Sequence, residues 1–319
     1  MFITKVIRRF SRLFTTKPID PNHTATDALG RLSQAITELE TRIELLQQER
    51  NKDLRQISYL TSALHLQQGR FDARPPNTKS PGDDSTTAAQ SAHAAQEEAH
   101  ARDAWYAAFQ DRFRGSREDI KMRLRAHLPR VRAAGVGTEA MPIVDLGCGR
   151  GEWLELLKDE GLKARGADLN RVSIARCREM GLEIAEEDAL SYLRNIPDTA
   201  VGAVTGFHII EHLPFDVLLA LLDETHRVLK PGGLAIFETP NPQNVMVGSC
   251  TFYLDPTHRR PIPAGLMQFV MEMQGFTAVE VVPLHPYPER AQVHGSNLAE
   301  RFNEYFHGPQ DYAVLGRKP

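Results

Sequence analysis

The fold of this chain is decided by the stretch MPIVDLGCGRGEW, which occupies residues 141–153 of 319. Ile143, Val144 and Leu146 predict a short buried strand, and three glycines follow it at alternate positions. Glycines permit a tight turn and a close approach of the backbone to a ligand. Apolar side chains at helical spacing begin at Trp153, so a helix N-terminus with free N–H groups faces the turn. The stretch therefore predicts a strand–turn–helix unit that binds an anionic group.

Acidic residues follow three successive strand-like runs. Asp145 lies in the first run, Asp168 ends the run at 162–167, and Asp188 follows the third run near Ile184. Because the carboxyl ends of parallel strands meet at one edge of a sheet, these acids predict a nucleoside-like ligand lying across that edge. The glycine spacing is G-x-G-x-G, one residue shorter than the dinucleotide fingerprint, which disfavours a dehydrogenase.

From Trp105 onward, strand-like runs alternate with helical patterns, which predicts an α/β domain over residues 105–319. Its motifs are VDLGCGRGEWLELL, GADLN, EEDAL, GFHIIEHL, RVLKPGGLAIFETPNP, FYLDPTHRRP and QDYAVLGRKP. In these motifs the region resembles bacterial class I S-adenosylmethionine-dependent methyltransferases, most closely the subgroup encoded with lipopolysaccharide or capsule assembly genes. The resemblance implies a Rossmann-like seven-stranded sheet with an antiparallel last strand. The implied strands lie near 142–147, 163–168, 182–186, 201–207, 233–239, 277–283 and 312–317.

The resemblance also implies S-adenosylmethionine as the cofactor and a set of residues that contact it. By position in the motifs these are Asp145, Gly147, Gly149, Asp168, Asp188, Ala189, Phe207 and His208. A helix ahead of the sheet covers the cofactor in similar enzymes, so Arg114 or Arg123 is a candidate for the methionine carboxylate, with a pure packing role for that helix as the alternative. Ser116, with Asp119 three residues on, predicts an N-cap for a helix over 117–128.

Acceptor chemistry is predicted in the insert from 243 to 263. It contains Phe252, Tyr253, Asp255, His258, Arg259 and Arg260, which suit an acceptor with hydroxyls or negative charge, such as a sugar or sugar phosphate. A base is needed only where the acceptor arrives protonated, as a hydroxyl does. We predict His258 as that base, with Asp255 setting its tautomer and His212 nearby.

Two alternatives stay open for these residues. The insert could be a lid whose Asp–Arg pairs only hold its shape, and Glu211 and His212 could be hydrogen-bonding groups at a helix start. Asp255 and His258 are too few ligands for a metal ion, so no metal site is predicted.

Three segments precede the α/β domain. Residues 1–17 predict a basic amphipathic helix that binds a membrane surface or a partner subunit. Residues 27–68 carry heptad-spaced Leu and Ile, which predicts a coiled coil that forms a homo-oligomer, with a single helix folded back on the domain as the alternative. Residues 69–100 predict a flexible linker, with some helix permitted after Ala88.

We expect the full chain to sediment with anionic vesicles and a variant lacking residues 1–17 to remain in the supernatant. The segment holds five basic residues, no acid and one apolar face, and such helices bind anionic lipid surfaces. Co-sedimentation measures this, with uncharged phosphatidylcholine vesicles as the control. Equal sedimentation of both forms would contradict the membrane prediction.

Composition disfavours several classes of protein. The 38 Lys and Arg against 41 Asp and Glu give a net charge of −3, and the chain beyond residue 17 carries −8. The chain therefore lacks the excess of positive charge that nucleic-acid binding needs, so no nucleic-acid partner is predicted. Three scattered cysteines without a CxxC pair predict reduced thiols. No apolar run approaches the roughly 20 residues that span a bilayer, so we expect a cytoplasmic protein or a peripheral one on the inner membrane face.

The sequence thus predicts a methyltransferase that forms an O-methyl product on a sugar or surface-polysaccharide precursor. Two alternatives differ in class. A small-molecule enzyme of the quinone or amino-acid type would share every cofactor motif and differ only in the acceptor segment. A non-catalytic coiled-coil scaffold would not need the intact Asp145, Asp168 and Asp188, which argues against it.

Overall fold

The computed structural model describes residues 37, 38, 42 and 84–319, and residues 84–319 belong to one compact unit. The predicted helix at 1–17 and nearly all of the predicted coiled coil at 27–68 lie outside the described residues. Helix α1 spans Asp84–Phe113. It includes residues 84–100 of the predicted linker, where the sequence permits some helix after Ala88. Alanine and glutamate, which are frequent after Ala88, have high helix propensity.

Seven strands form one sheet in the described part of the chain, in the order β3-β2-β1-β4-β5-β7-β6. They are β1 (Ile143–Leu146), β2 (Ala164–Asp168), β3 (Ile184–Glu186), β4 (Val201–Phe207), β5 (Leu229–Pro240), β6 (Thr277–Leu284) and β7 (Asp311–Arg317). β1 to β5 run parallel, and β7 is antiparallel to both β5 and β6. The predicted seven-stranded sheet with an antiparallel last strand is confirmed.

One strand differs from its prediction. β5 begins at Leu229, whereas the sequence predicts its start at residue 233, after a Pro-Gly-Gly turn. The pairing of β4 with β5 shifts register between Val201 and Ala203, and Gly232 has φ +78°. The turn is therefore an irregularity inside the strand, because the sheet pairs on both sides of it.

Helices cover both faces of the sheet. After α1 they are α2 (Arg117–Leu124), α3 (Leu128–Ala133), α4 (Glu152–Asp159), α5 (Arg171–Glu179), α6 (Ala189–Arg194), α7 (Phe215–Val228), α8 (Val245–Ser249), α9 (Ala264–Met273) and α10 (Asn297–Phe302). Short 3₁₀ turns occupy Arg125–His127, Ile210–His212, Thr251–Leu254 and Glu289–Ala291, and a π-turn occupies Asn303–His307.

The start of α2 confirms the predicted cap, since Oγ of Ser116 accepts a hydrogen bond from the Asp119 N–H at 3.2 Å. The predicted helix over 117–128 is divided, however, by the 3₁₀ turn at Arg125–His127. Proline lies in the first turn of α3, at position 129. It has no N–H to donate back along a continuous helix, which accounts for the break.

The core has a layer on each face of the sheet. α6, α7 and α9 pack on one face around Leu221, Phe237 and Met267. α2, α3 and α4 pack on the other around Trp153 and Leu156. β4, between the two layers, is buried along its whole length, as expected of a central parallel strand. This sandwich leaves the carboxyl edge of β1, β2 and β4 as the open edge on which a site can form.

All three cysteines are free thiols, with Cys148 and Cys177 buried and Cys250 exposed. The residues that the structure describes contain no helix whose length and apolar content would let it cross a membrane.

Candidate active site

A cavity of about 250 Å³ opens at the carboxyl edge of the sheet. β1 lies there between β2 and β4, where the strand order reverses direction. Open α/β sheets bind ligands at this switch point. The lining residues are Tyr106, Gln110, Arg114, Gly147, Gly149, Asp168, Asn170, His208, Ile209, His212 and Thr257.

The glycine turn after β1 forms one wall of the cavity. Gly147 has φ +61°, and a Cβ atom built on it would lie 2.8 Å from Cδ1 of Ile209. Gly149 has φ +51°. L-residues with side chains rarely adopt these angles, so both positions require glycine. The structure places both predicted glycines in the cavity wall.

Asp168 ties the glycine turn to the end of β2. Its Oδ2 accepts the Gly149 N–H at 2.7 Å, and its Oδ1 accepts the Asn170 N–H at 2.7 Å. Burial raises the pKa of Asp168, and these N–H donors oppose the rise. Each carboxylate oxygen can accept a further hydrogen bond, and Asp168 lines the cavity, which suits the predicted bond to ribose hydroxyls.

Asp145 and Asp188 are not among the residues that line the cavity. Asp145 is buried, accepts a hydrogen bond from Oγ1 of Thr205 at 2.8 Å, and has its pKa raised to about 8 by burial. Oδ1 of Asp188 accepts the N–H groups of Leu190 and Ser191, so this side chain caps α6. Ala189 is the first residue of that helix. Asp145, Asp188 and Ala189 were predicted to contact the cofactor. In the structure they make hydrogen bonds within the chain or begin a helix, next to the cavity residues.

The residues after β4 divide between the core and the cavity. The ring of Phe207 is buried against Trp153 and His127, with centroids 5.3 and 5.2 Å apart, and it is not among the residues that line the cavity. Only its carbonyl oxygen faces the site, where it accepts a hydrogen bond from Nη2 of Arg114 at 3.3 Å. His208 has φ +57° and lines the cavity.

The two predicted arginines also differ in position. Arg114 lines the cavity and is therefore placed to meet the carboxylate of a bound cofactor. Arg123 lies on α2, is exposed, and is not among the lining residues. A contact between Arg123 and the cofactor is therefore not supported.

A buried ion-pair network, missed in the sequence, fixes α1 over the cavity. Arg150, in the glycine turn, pairs with Asp111 of α1 at 3.1 Å and with Glu152 at 2.8 Å. It also donates to the carbonyl oxygen of Gly115 at 3.1 Å. Arg176 pairs with Asp111 from α5 at 3.2 Å. Because the network joins the glycine turn to α1, it holds that helix as a wall of the site.

Gln110 and Asn170 are lining residues that the sequence analysis did not select. Tyr106 and Gln110 of α1 and Arg114, directly after its last residue, recur every four residues, so they point to the same side. That spacing was the available signal for Gln110. Asn170 caps α5 through its Oδ1, which accepts the Ser173 N–H at 3.0 Å. A helix-capping asparagine gives no separate signal of a site.

Beside the cavity, Glu211, His212 and His258 form what we call the two-histidine cluster. One side-chain oxygen or nitrogen of each lies within 4.8 Å of the others. The rings of His212 and His258 meet edge to face at 4.7 Å. The structure thus brings together two of the three residues predicted for catalysis and adds Glu211. Glu211 is fully buried, and its Oε2 accepts a hydrogen bond from Oγ1 of Thr239 at 2.9 Å.

The predicted role of Asp255 was wrong. Its Oδ2 lies 4.0 Å from Nε2 of His258, too far for a hydrogen bond. The tautomer is set instead by the carbonyl oxygen of Phe252, 2.6 Å from Nδ1 of His258. A carbonyl only accepts, so the proton is on Nδ1 and the lone pair is on Nε2. Asp255 accepts from the hydroxyls of Tyr106 and Thr257, at 2.9 and 2.6 Å.

His212 also has an assigned proton position. Oγ1 of Thr257 lies 2.9 Å from Nδ1 of His212 and gives its own proton to Asp255. The hydroxyl oxygen therefore accepts from Nδ1–H, which leaves the lone pair on Nε2. Burial lowers the pKa of His212, which favours this neutral form.

A second polar cluster lies deeper, around Glu238 at the end of β5. Oε2 of Glu238 is 2.6 Å from Nε2 of His127, and Oε1 is 3.2 Å from Nε2 of His285. His208 is within 4 Å of both Glu238 and Asp311. Burial alone would lower the pKa of His208, but these carboxylates and Glu211 raise it to about 10. The cluster therefore holds a cationic imidazole beside the cavity.

Comparison with known proteins places the fold in a family. The family model described as "Methyltransferase domain" matches residues 117–281, which is more than half of the chain. A solved SAM-dependent methyltransferase from Archaeoglobus fulgidus is 33% identical, with a TM-score of 0.61. That match covers 67% of this chain and 100% of the other.

Two curated relatives are similar over shorter regions. A probable S-adenosylmethionine-dependent methyltransferase of Mycolicibacterium smegmatis is 28% identical over 50% of this chain and 57% of its own. A ubiquinone biosynthesis O-methyltransferase of Alkalilimnicola ehrlichii is 30% identical over 33% of this chain and 44% of its own. The chain spans about half the length of these relatives. On the family match, the sheet topology and the cavity at its switch point, this chain belongs to the S-adenosylmethionine-dependent methyltransferase family.

Proposed function

We propose that this enzyme methylates a hydroxyl oxygen of a sugar or surface-polysaccharide precursor. The observation that carries the proposal is the lone pair on Nε2 of His258, fixed by the 2.6 Å bond from Nδ1 to the Phe252 carbonyl oxygen. A hydroxyl must lose its proton as it is methylated, so its enzyme needs a proton acceptor close to the cofactor. Amine acceptors that arrive neutral need none.

The residues of the site divide into two groups by role. The glycine turn and Asp168 suit the adenosine part of the cofactor, and Arg114 suits its carboxylate. S-adenosylmethionine, when bound, supplies a methyl group activated by a sulfonium. His212 and Thr257 also line the cavity, and we assign them to orienting the acceptor. Nε2 of His258 accepts the proton that leaves the hydroxyl.

The lining of the site favours a polar acceptor. Most of the lining side chains carry a hydrogen-bonding group, among them Tyr106, Gln110 and Thr257. Arg259 is exposed next to the two-histidine cluster. Its backbone N–H donates to the backbone carbonyl oxygen of Glu211 at 3.0 Å. An exposed guanidinium at that place suits an acceptor that carries phosphate or carboxylate.

A phenolic hydroxyl is the second candidate acceptor. It is favoured by the similarity to the ubiquinone biosynthesis O-methyltransferase. A phenol needs the same proton acceptor as a sugar hydroxyl, so the two-histidine cluster serves either acceptor. The two differ in what binds the rest of the molecule.

We expect purified full-length chain to transfer a labelled methyl group to oxygen in a panel of nucleotide sugars, with catechols tested in parallel. His258→Gln should lower turnover about 10²- to 10⁴-fold, the usual contribution of a general base. S-adenosylhomocysteine affinity should stay unchanged. His226→Gln, at a half-buried histidine of α7, is the matched control. Mass spectrometry of the products locates the label, and methyl transfer to nitrogen alone would contradict the proposal.

A further inference from the structure

We infer that the two-histidine cluster binds one divalent transition-metal ion beside the cofactor cavity. Nε2 of His258 lies 3.8 Å from Oε1 of Glu211, and one atom of His212 lies within 4.8 Å of both residues. Metal–nitrogen bonds of about 2.0–2.1 Å place two ligands of one ion about 3–4 Å apart. Small side-chain rotations therefore bring all three atoms to bonding distance of a common point.

Both histidines present the nitrogen that a metal needs. His258 gives its Nδ1 proton to the Phe252 carbonyl oxygen, and His212 gives its Nδ1 proton to Oγ1 of Thr257. Metal-binding histidines almost always donate their other ring N–H to an outer acceptor, which fixes the tautomer and the ring orientation. The two outer acceptors are already in place here, and each leaves a free lone pair on Nε2.

Glu211 supplies a further observation. Its side chain is fully buried, and Oε1 lies 3.3 Å from Nδ1 of His208 and 3.8 Å from Nε2 of His258. The other oxygen is bonded to Thr239. A buried carboxylate is costly unless positive charge and hydrogen bonds compensate it. His208 supplies part of that compensation, and an ion bound between Glu211, His212 and His258 would add to it at Oε1.

The charge around the cluster also favours a cation. Glu211, Glu238, Asp255 and Asp311 surround it, and all four have low exposure. In the described residues, every ion pair made by these carboxylates is with histidine and none is with lysine or arginine. A divalent ion would balance negative charge that the chain itself balances only in part.

The ligand set indicates the class of ion. Two imidazoles and one carboxylate suit Zn²⁺, Mn²⁺, Fe²⁺ or Co²⁺, whereas Mg²⁺ and Ca²⁺ prefer oxygen ligands. Asp255 and His258 alone were too few for a site in the sequence. The fold replaces Asp255 with Glu211 and adds His212, because the 3₁₀ turn after β4 lies against the insert.

Three protein ligands leave positions open on the ion, next to residues that line the cavity. A Lewis acid there would lower the pKa of an acceptor hydroxyl that approaches the cofactor. This role, unlike metal binding itself, rests on the proposed O-methyl transfer. With the ion bound, the Nε2 lone pair of His258 is held by the metal, so a water or hydroxide in an open position of the ion would accept the hydroxyl proton in place of His258.

The test is a titration of chelator-treated full-length chain with Co²⁺, followed by its visible absorption and by calorimetry with Zn²⁺. We expect one ion per chain. His212→Asn and His258→Asn should each weaken metal binding at least about 10- to 100-fold. That is the usual loss when a residue that only hydrogen-bonds to a metal ligand is replaced, so loss of a ligand itself should cost at least as much. His226→Asn should bind as the parent chain does. S-adenosylhomocysteine binding, measured on every sample, shows that each variant is folded.

Two results would overturn the site. One is a chain that binds S-adenosylhomocysteine but no Co²⁺. The other is Co²⁺ binding that survives both variants and is lost in His208→Asn, which would place the ion among His208, Glu238 and Asp311. Either result leaves the proposed O-methylation to be judged by the position of the label. Conversely, label on nitrogen in a chain that binds one ion through His212 and His258 would refute the O-methylation alone.

Discussion

Asp168→Ala should weaken S-adenosylhomocysteine binding at least about 100-fold. The carboxylate accepts N–H groups of Gly149 and Asn170 at 2.7 Å each and lines the cavity. Its loss removes both the tie that shapes the glycine turn and the acceptor for ribose hydroxyls. Charge-assisted hydrogen bonds are worth about 1.5–3 kcal/mol each, and two of them correspond to a factor of 100 or more in affinity. Calorimetric titration measures the change.

The control for this prediction is Asp159→Ala. Asp159 ends α4 and forms an exposed ion pair with Lys121 at 2.9 Å, away from the cavity lining. Its removal should leave cofactor affinity unchanged, since exposed ion pairs contribute little. Asp168→Asn is informative as well, because it keeps one oxygen acceptor and should fall between the parent chain and Asp168→Ala. Parent-like affinity in a folded Asp168→Ala variant would remove Asp168 from the cofactor site.

The sheet could be predicted because its evidence is local. The apolar run of β4 and the glycine turn at Gly147 each lie within a few residues, so periodicity and turn chemistry were sufficient. The N-cap at Ser116 is local in the same way, since the bond that defines it spans three residues. The predicted start of β5, residue 233, lies after the observed start at Leu229, because a Pro-Gly-Gly sequence ordinarily marks a turn outside a strand. Pairing with β4 overrides that local preference.

The candidate site was predictable only in part, because its decisive contacts join distant residues. His258 was selected by residue type, but its tautomer depends on a backbone carbonyl, and no pattern of side chains reports on that. Glu211 meets His258 only after the insert folds back against the turn that follows β4. Phe207 was assigned to the cofactor by its motif position, yet its ring packs in the core against Trp153 and His127. Residue identity thus indicated the region of chemistry, while the pairing inside it required the fold.

The buried cluster around Glu238 is the clearest case of a feature that the sequence hides. His127 and Glu238 are 111 residues apart, and no sequence motif contains both. In the structure Glu238 joins the 3₁₀ turn before α3, the segment after β6 and the turn after β4. It therefore fixes the arrangement of three elements that surround the cofactor edge, and its removal should affect the whole domain.

Glu238→Gln should lower the free energy of unfolding by about 3 kcal/mol or more, since breaking a buried charged pair costs about 3–5 kcal/mol. The carboxylate accepts from Nε2 of both His127 and His285. A glutamine has only one such oxygen, so its NH₂ group would face an imidazole N–H. His127 cannot relieve this by moving its proton, because its Nδ1 is buried without a partner in the described structure. Urea unfolding followed by circular dichroism measures the loss.

The loss should depend on pH in a direction that the structure fixes. Burial alone would raise the pKa of Glu238, but bonds from His127, His208 and His285 hold it well below its usual 4.5. A carboxylate with a lowered pKa in the folded state contributes stability above its unfolded pKa and loses it as the pH falls. The gap between parent and Glu238→Gln should therefore be full at neutral pH and shrink below about pH 4.5. Glu280→Gln, at an exposed carboxylate 3.3 Å from Arg130, should stay within about 0.5 kcal/mol of the parent. A gap that grows on acidification would show that Glu238 is protonated in the folded chain and that the histidines are held by other groups.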